Sequence, residues 1–518
     1  MPQRAVLMSG VISGRKTCYN CHMNISRRWF IGGAASFGAF QGCRFVENPF
    51  GRSGVARLKL GVVSDIHILA ENTDRATAGN TRTFRRALRW FDAQGVDAVI
   101  LAGDMADAGL ISQLQCVADA WNAVFPNGRS VLDGRKVERC FVYGNHDWEG
   151  FGYNYKIYGV ESKKLYRDHI RENGMRRTWE EVFEEEYLPI YRKDLKGYTL
   201  VGGHWDEANG SGWGKGPDIA DFFAAQGRSI DPKLPFFYFQ HPIPKDTCYG
   251  SWAWGQDAGV STRVLSGYSN AIAFSGHSHY SLLDERSIWQ GAFTSIGTGS
   301  LRYAGNPSNE TSDWGGYENA HDWGTKREGS TPRLMDVVCA DTCRSGQLVS
   351  VYDDHITLTR RDFVSDLDLG PDHVMPLPVA EAKPFAFVEH AKRFPAPVFA
   401  EEATIKVERG KRKFKKDEVE QEVEVFNLTV PLAKQTFANR VFRYEMRVEA
   451  KADAKVVLTR HVLAPDYHLP LEKAPASFTL PVPDGDLPAT GEFRFAVTPL
   501  NCFGKAGAPL LTGYFSRA

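Results

Sequence analysis

The sequence predicts an α/β layered domain followed by a small all-β domain, and three observations carry that expectation. Short apolar runs alternate with helix-spaced segments from residue 57 to about residue 365. Six prolines then fall from Pro371 to Pro397 with little periodicity. Beyond them the helical signal disappears and strict alternation takes over, as in Phe442, Tyr444, Met446 and Val448 against Arg443, Glu445, Arg447 and Glu449. Strands interleaved with helices indicate layers around a sheet, whereas a period of two marks half-buried strands. A chain of 518 residues exceeds one compact core, so two folded domains plus extensions are expected.

The elements follow in order. Leu58–Ser64 is an apolar run of strand length ending at Asp65. Thr83–Asp92 reads as a helix, with Phe84, Leu88 and Phe91 at spacings of four and three. Further strands are expected at Val96–Ala102, Val137–Tyr143, Tyr198–Val201, Pro235–Gln240, Ala271–Phe274 and Phe293–Ile296. Leu348–Thr359 is more polar and reads as an edge-like strand pair closing the domain at 57–365. Residues 366–400 read as a Pro-rich linker or a strap over the surface. In 401–518, strands are expected at Thr404–Glu408, Val423–Val430, Ala454–Leu458, Ser477–Val482 and Glu492–Pro499, forming a small sandwich. The run Phe493–Lys505 resembles the final strand and turn of a fibronectin type III module. The basic run Lys411–Lys416 reads as a solvated hairpin turn.

The 62 basic and 62 acidic residues balance, which argues against a nucleic-acid polymer as partner. No apolar run reaches the roughly 18–20 residues that span a bilayer. Ser26-Arg27-Arg28-Trp29-Phe30-Ile31 followed by Gly32–Phe40 resembles a twin-arginine export signal. Residues 1–43 are therefore expected to be an export leader, with Met23 as an alternative start and a periplasmic or cell-surface destination. Cys18-Tyr19-Asn20-Cys21-His22 fits the haem-attachment pattern, but lies upstream of the arginine pair in the segment expected to be removed, and reads as coincidence or as a mistaken start. Cys43, after Phe40-Gln41-Gly42, loosely resembles a lipoprotein cleavage site and leaves a lipid anchor there open. Cys339 and Cys343 are close enough in sequence to close a small disulfide loop.

The chemistry-bearing residues fall just past apolar strands, at the sheet edge where sites form in open α/β sheets. Asp65-Ile66-His67 follows the first strand, and alternation in an extended segment would put Asp65 and His67 on one side. Gly103-Asp104 follows the second strand and Gly144-Asn145-His146-Asp147 the third. His241 follows Phe236–Phe239, and Gly276-His277-Ser278-His279 follows Ala271–Phe274. Carboxylates and neutral imidazoles together suit manganese, iron or zinc, and a shared Asp can bridge two such ions.

The order D-x-H, G-D, G-N-H-D, H and G-H-x-H resembles the calcineurin-like metallophosphoesterase family over residues 57–365. The resemblance implies a four-layer β-sandwich of two mixed sheets flanked by helices. It implies two divalent or transition-metal ions: one on Asp65, His67 and His279, the other on Asn145, His241 and His277, with Asp104 bridging. It also implies that His146 sits beside the leaving group as general acid. Asp147 is a candidate to orient the His146 ring, though Asp65 or a backbone carbonyl would serve as well.

Around this set, His204, Trp252 and Trp254 read equally as substrate contacts or as packing for long loops, and Arg302 is a candidate phosphate contact. The expected substrate is a small-molecule phosphate ester, a small or medium-sized phosphodiester first and a monoester or nucleotide second. A reading of another class is a surface glycan- or protein-binding protein with a structural metal site. The presence of His146 favours the enzyme, because a structural metal site has no use for it.

Overall fold

The computed structural model describes residues 54–69, 74–153, 174–205, 217–305, 307, 316–320, 334–338, 343–416 and 419–517. The leader expectation at 1–43, with Met23, Cys18, Cys21 and Cys43, lies outside them, as does Cys339. Cys116, Cys140, Cys248, Cys343 and Cys502 are free thiols. Among the described residues no helix is long and apolar enough to cross a membrane.

The strands are β1 (Leu58–Val63), β2 (Ala98–Ala102), β3 (Glu138–Val142), β4 (Ile190–Leu195), β5 (Tyr198–Gly203), β6 (Phe236–Phe239) and β7 (Ala271–Ser275). They continue with β8 (Ile288–Gln290), β9 (Thr294–Gly297), β10 (Ser345–Val351), β11 (His355–Asp362), β12 (Leu367–Asp368) and β13 (His373–Pro376). Helices α1 (Asp74–Gln94), α2 (Ile111–Asn122), α3 (Asn145–Tyr153), α4 (Met175–Phe183), α5 (Pro217–Gln226) and α6 (Val260–Leu265) lie between them.

One mixed sheet has the order β12-β11-β10-β1-β2-β3, with β13 also on β11, and a second has β4-β5-β6-β7-β9-β8. Facing side chains join the two: Leu60, Val62, Ile100 and Val142 from the first share a core with Leu200, Phe237, Phe239, Ile272 and Phe274 from the second. Helices cover the outer faces. Phe84, Leu88 and Phe91 of α1 and Leu114, Val117 and Trp121 of α2 pack with Val99 and Leu101. Phe223 of α5 and Leu265 of α6 pack on Phe236 and Tyr238. Each such buried side chain contributes ~1.5–3 kcal/mol. Strands β1, β2 and β3 run parallel, as do β5, β6, β7 and β9. Their C-terminal ends carry the expected ligands.

Two expectations are corrected. The segment expected as an edge-like pair contains β10, which lies inside its sheet between β1 and β11 and is buried throughout. Its polar residues are not solvated: Gln347 Nε2 donates to the Gly297 carbonyl at 2.6 Å, tying the first sheet to β9. Nor is 366–400 a plain linker. β13 adds to β11, and Met375, Val379 and Phe385 enter the core between the sheets.

The C-terminal region holds β14 (Lys406–Lys416), β15 (Val419–Pro431), β16 (Arg443–Ala450), β17 (Val456–Leu463), β18 (Ser477–Pro483), β19 (Glu492–Leu500), β20 (Leu510–Leu511) and β21 (Phe515–Ser516). They form the sheets β14-β15-β18 and β17-β16-β19-β20, with β21 on β19. Leu428, Val430 and Leu480 share one core with Tyr444, Met446, Val448, Phe495 and Val497. The basic run is strand rather than turn: Lys411 and Lys413 ion-pair with Glu422 and Glu420 on β15. Tyr317 and Val338 enter this same core. Asn319 bonds both the N–H and the carbonyl of Leu463 at 2.8 Å, completing the end of β17 like a paired backbone.

Candidate metal centre

Three loops from the first sheet and two from the second converge. Asp65 and His67 follow β1 but are not extended: their φ values are +55° and +48°. The loop instead runs beside the one after β2, with Asp65 N–H donating to the Gly103 carbonyl and His67 N–H to the Asp104 carbonyl, both at 3.0 Å. The two side chains still converge, His67 Nε2 lying 3.8 Å from Asp65 Oδ1. Asp104, His277 and His279 likewise have positive φ, at +51°, +70° and +55°. A non-glycine residue held there costs on the order of 1 kcal/mol or more, and such residues cluster at functional sites. Gly103, with φ +90°, is needed for another reason: a Cβ would enter the His241 ring.

The donor atoms form three groups: two share Asp104, and a third, of His67, Asp107 and His146, adjoins them. Asp65, His67, Asp104 and His279 form one, with ligand atoms within 4.8 Å of one another; Asp104, His241 and His277 form the other. His279 Nε2 lies 2.9 Å from Asp65 Oδ1 and 3.1 Å from His67 Nε2. Asp104 Oδ2 lies 3.1 Å from His241 Nε2 and 3.5 Å from His67 Nε2. Asn145 Oδ1 and His277 Nδ1 each lie 3.1 Å from His241 Nε2.

Backbone carbonyls set the ring orientations. His241 Nδ1 donates to Ala102 O at 2.8 Å and His279 Nδ1 to Tyr303 O at 3.3 Å, which turns each Nε2 lone pair inward. Asp65 Oδ1 is buried and accepts no hydrogen bond. An orphaned carboxylate oxygen facing inward-turned imidazoles fits divalent metal ions, and the O/N donor set suits the transition metals named above.

Charge follows the same geometry. Burial would raise the Asp65 and Asp104 carboxyls, but the surrounding histidines hold both below the usual range. Burial opposes charge on His67 and His241, yet the carboxylates raise each to about 9. Burial lowers His277 and His279.

His146, at the start of α3, is half-buried beside this set. Its N–H donates to Asp104 Oδ1 at 2.8 Å, and its ring meets the edge of His67 at 4.5 Å between centroids. Its Nδ1 bonds the Asp107 carbonyl at 3.0 Å.

The orienting role considered for Asp147 is therefore corrected. That carboxylate accepts the N–H groups of Ala106 and Gly144 at 2.8 Å and of Met105 at 3.3 Å, tying the loop after β2 to α3. A backbone carbonyl positions His146 instead. Burial and neighbouring Asp104 push the Asp147 carboxyl up to about 7, against those three amides.

The surrounding candidates separate. His204 is packing: it is buried, its Nδ1 accepts Tyr143 N–H at 3.0 Å, and Tyr143, Trp179, Tyr187 and Tyr191 enclose its ring. Trp252 is half-buried against Tyr280 and Arg286. Trp254 is exposed and stacks on His277. Arg302 Nη1 pairs with Asp107 Oδ1 at 2.5 Å.

Sequence reasoning missed Asp107, whose carboxylate lies 3.3 Å from His67 Nδ1, and Tyr303, whose ring packs on His279 at 4.3 Å. The signal for Asp107 was its place three residues after Asp104 in one loop. For Tyr303 it was adjacency to Arg302.

A prediction follows from the buried neutral histidines. Burial pushes His204 down to about 3, and His373 and His461 down to about 4. Each stays uncharged in the fold where the unfolded chain, with a pKa near 6.5, takes up a proton. Their contribution is constant above about pH 6.5 and falls as pH drops toward 4, by roughly 1–2 kcal/mol per histidine at pH 5. Denaturant midpoints at pH 7 and pH 5 measure this, and an unchanged midpoint would contradict the assignment.

Residues 58–281 match the family model described as Calcineurin-like phosphoesterase. They form a calcineurin-like metallophosphoesterase domain, which makes the protein a hydrolase acting on phosphoester bonds. Among solved structures, a dimetal phosphatase from Danio rerio is 12% identical, with 62% of this chain and 99% of that one covered and a TM-score of 0.35. Purple acid phosphatase PPD1 from yellow lupin (Lupinus luteus) seeds is 12% identical, with 61% of this chain covered and a TM-score of 0.38; the match spans 53% of that chain, about half its length. A predicted phosphoesterase from Streptococcus pneumoniae is 13% identical, with 62% and 97% covered and a TM-score of 0.26. No curated protein sequence matches the chain.

Proposed function

We propose that the protein hydrolyses a small or medium-sized phosphodiester at a two-metal centre. The observation that carries this reading is the pair of donor groups sharing Asp104, with His146 at their rim. Asp65, His67, Asp104 and His279 would hold one ion, and Asp104, Asn145, His241 and His277 the other. Two cations so held supply the Lewis acidity that activates water and neutralises charge on the phosphoryl oxygens.

The protein's own groups do the rest. The Asp107 carbonyl can only accept, so His146 Nδ1 carries the hydrogen of that bond, and Nε2 protonates the departing oxygen only from the doubly protonated imidazolium, a form that burial disfavours. Arg302, fixed at one corner by Asp107, directs its remaining N–H groups to a phosphoryl oxygen. The buried, inward-turned imidazoles place the donors before substrate arrives, so little reorganisation is needed at the reacting centre.

The test is metal analysis of purified protein supplemented with manganese, iron or zinc, followed by turnover of paired mono- and diesters. About two ions per chain and faster diester turnover are expected. Absence of bound metal would remove the proposal, and faster monoester turnover would reverse the substrate assignment.

A further inference from the structure

The loop between β6 and α6 is held hard around Trp254. Ile243 N–H donates to the Gly255 carbonyl and Asp257 N–H to the Ile243 carbonyl, both at 2.8 Å. Trp254 N–H donates to the Tyr280 hydroxyl at 3.2 Å. Gly255 has φ +85°, and a Cβ there would come 2.8 Å from the His277 ring, so the backbone lies directly against that imidazole.

Beneath the loop, Arg286 is clamped by Asp284, with Nε–Oδ1 at 3.0 Å and Nη2–Oδ2 at 2.8 Å. Its guanidinium lies 4.9 Å from the Trp252 ring centre and 4.4 Å from that of Phe442, in the all-β region. Its carbonyl accepts Tyr249 N–H at 2.7 Å. A stack of Phe442, Arg286 and Trp252 thus supports the segment that presents Trp254.

The indole of Trp254 stacks on His277 with centroids 4.5 Å apart and planes at 30°, yet the residue remains 47% exposed. Trp205, whose ring also meets His277, is buried, and Trp252 is half-buried. A large aromatic ring kept open on a fixed loop beside the site calls for an explanation that a scattered surface residue does not.

We propose that Trp254 is a specificity-determining residue that receives a planar aromatic group of the phosphate ester, aryl or nucleobase, on its exposed ring. This rests on the phosphoesterase reading of the adjoining site. Such a group lies flat on the indole while its phosphate reaches the donor atoms beside His277. Stacking of this kind is worth on the order of a tenfold change in binding.

The full-length, metal-loaded protein is assayed by fluorine NMR with three diesters that share a non-aromatic 2,2,2-trifluoroethyl group and differ in the second: methyl, phenyl and thymidine 5′. The Trp254→Ala protein should show KM raised about tenfold for the phenyl and thymidine esters with little change in kcat. The methyl ester should change far less, and Trp254→Phe should restore most of the loss. The ratio of phenyl to thymidine effects separates an aryl from a nucleobase substrate. Equal changes for all three esters, or none, overturn the proposal. So does loss of metal from Trp254→Ala, which would make the indole a support for His277. If the wild-type protein turns over no ester, the hydrolytic reading fails separately. Calorimetric binding of phenylphosphonate against methylphosphonate then decides the platform: a preference lost in Trp254→Ala upholds it, and equal affinities overturn it.

Discussion

His146→Ala is expected to keep its metals and lose on the order of 10²–10⁴ in rate on an alkyl ester, the usual range for a general acid. Retention follows from what the substitution leaves behind. The bond from residue 146 to Asp104 Oδ1 is made by the backbone N–H, which alanine also has. The ring lost is the half-buried one bonded to the Asp107 carbonyl; it lies outside the two donor groups that share Asp104, in a third group with His67 and Asp107. The loss should shrink on a nitrophenyl ester, whose leaving group departs readily as the anion. Rates for both esters on both proteins, with metal content measured alongside, decide the matter. Equal losses would assign His146 to charge stabilisation on the phosphoryl oxygens, and an emptied site would withdraw the acid role.

Asp104→Asn is expected to weaken both sites at once. The shape and the acceptor oxygen survive, so the fold should persist, but the charge that both groups share is gone. Even residues behind the ligands typically change metal affinity 10–100-fold, so removing a shared ligand charge should cost at least that. Metal content and kcat/KM at fixed metal concentration measure the outcome. Two ions per chain with undiminished turnover would refute a bridging role.

The expected ligands were legible because each follows an apolar strand by two to four residues, and the C-terminal ends of parallel strands in two mixed sheets meet at one edge. What defeated sequence reasoning was local. Asp65 and His67 were expected to share a side by alternation, whereas both have positive φ and converge because their loop bonds to the loop after β2. The segment Leu348–Thr359 looked like an edge because it is more polar than the earlier strands, and polarity does not reveal that β10 lies between β1 and β11, with Gln347 bonded to a buried carbonyl. Asp147 is adjacent to His146 in sequence, but the turn into α3 sends its carboxylate to backbone amides instead. Trp252 and Trp254 are indistinguishable as letters, and the loop geometry around Gly255 and Arg286 alone gives one support and the other exposure.

The pairing of β1 with β10 joins Leu58 to Val351. Every expected ligand, from Asp65 to His279, precedes β10 in the chain. During synthesis, a nascent chain that has not reached residue 345 carries all seven ligands while β1 lacks its antiparallel neighbour. Closing that pairing spans nearly 300 residues, a contact of high order that forms slowly. The metal centre is therefore expected to mature after translation of its own ligands, and a chain stalled between His279 and Ser345 to expose histidines and carboxylates that the finished sheet gathers and buries.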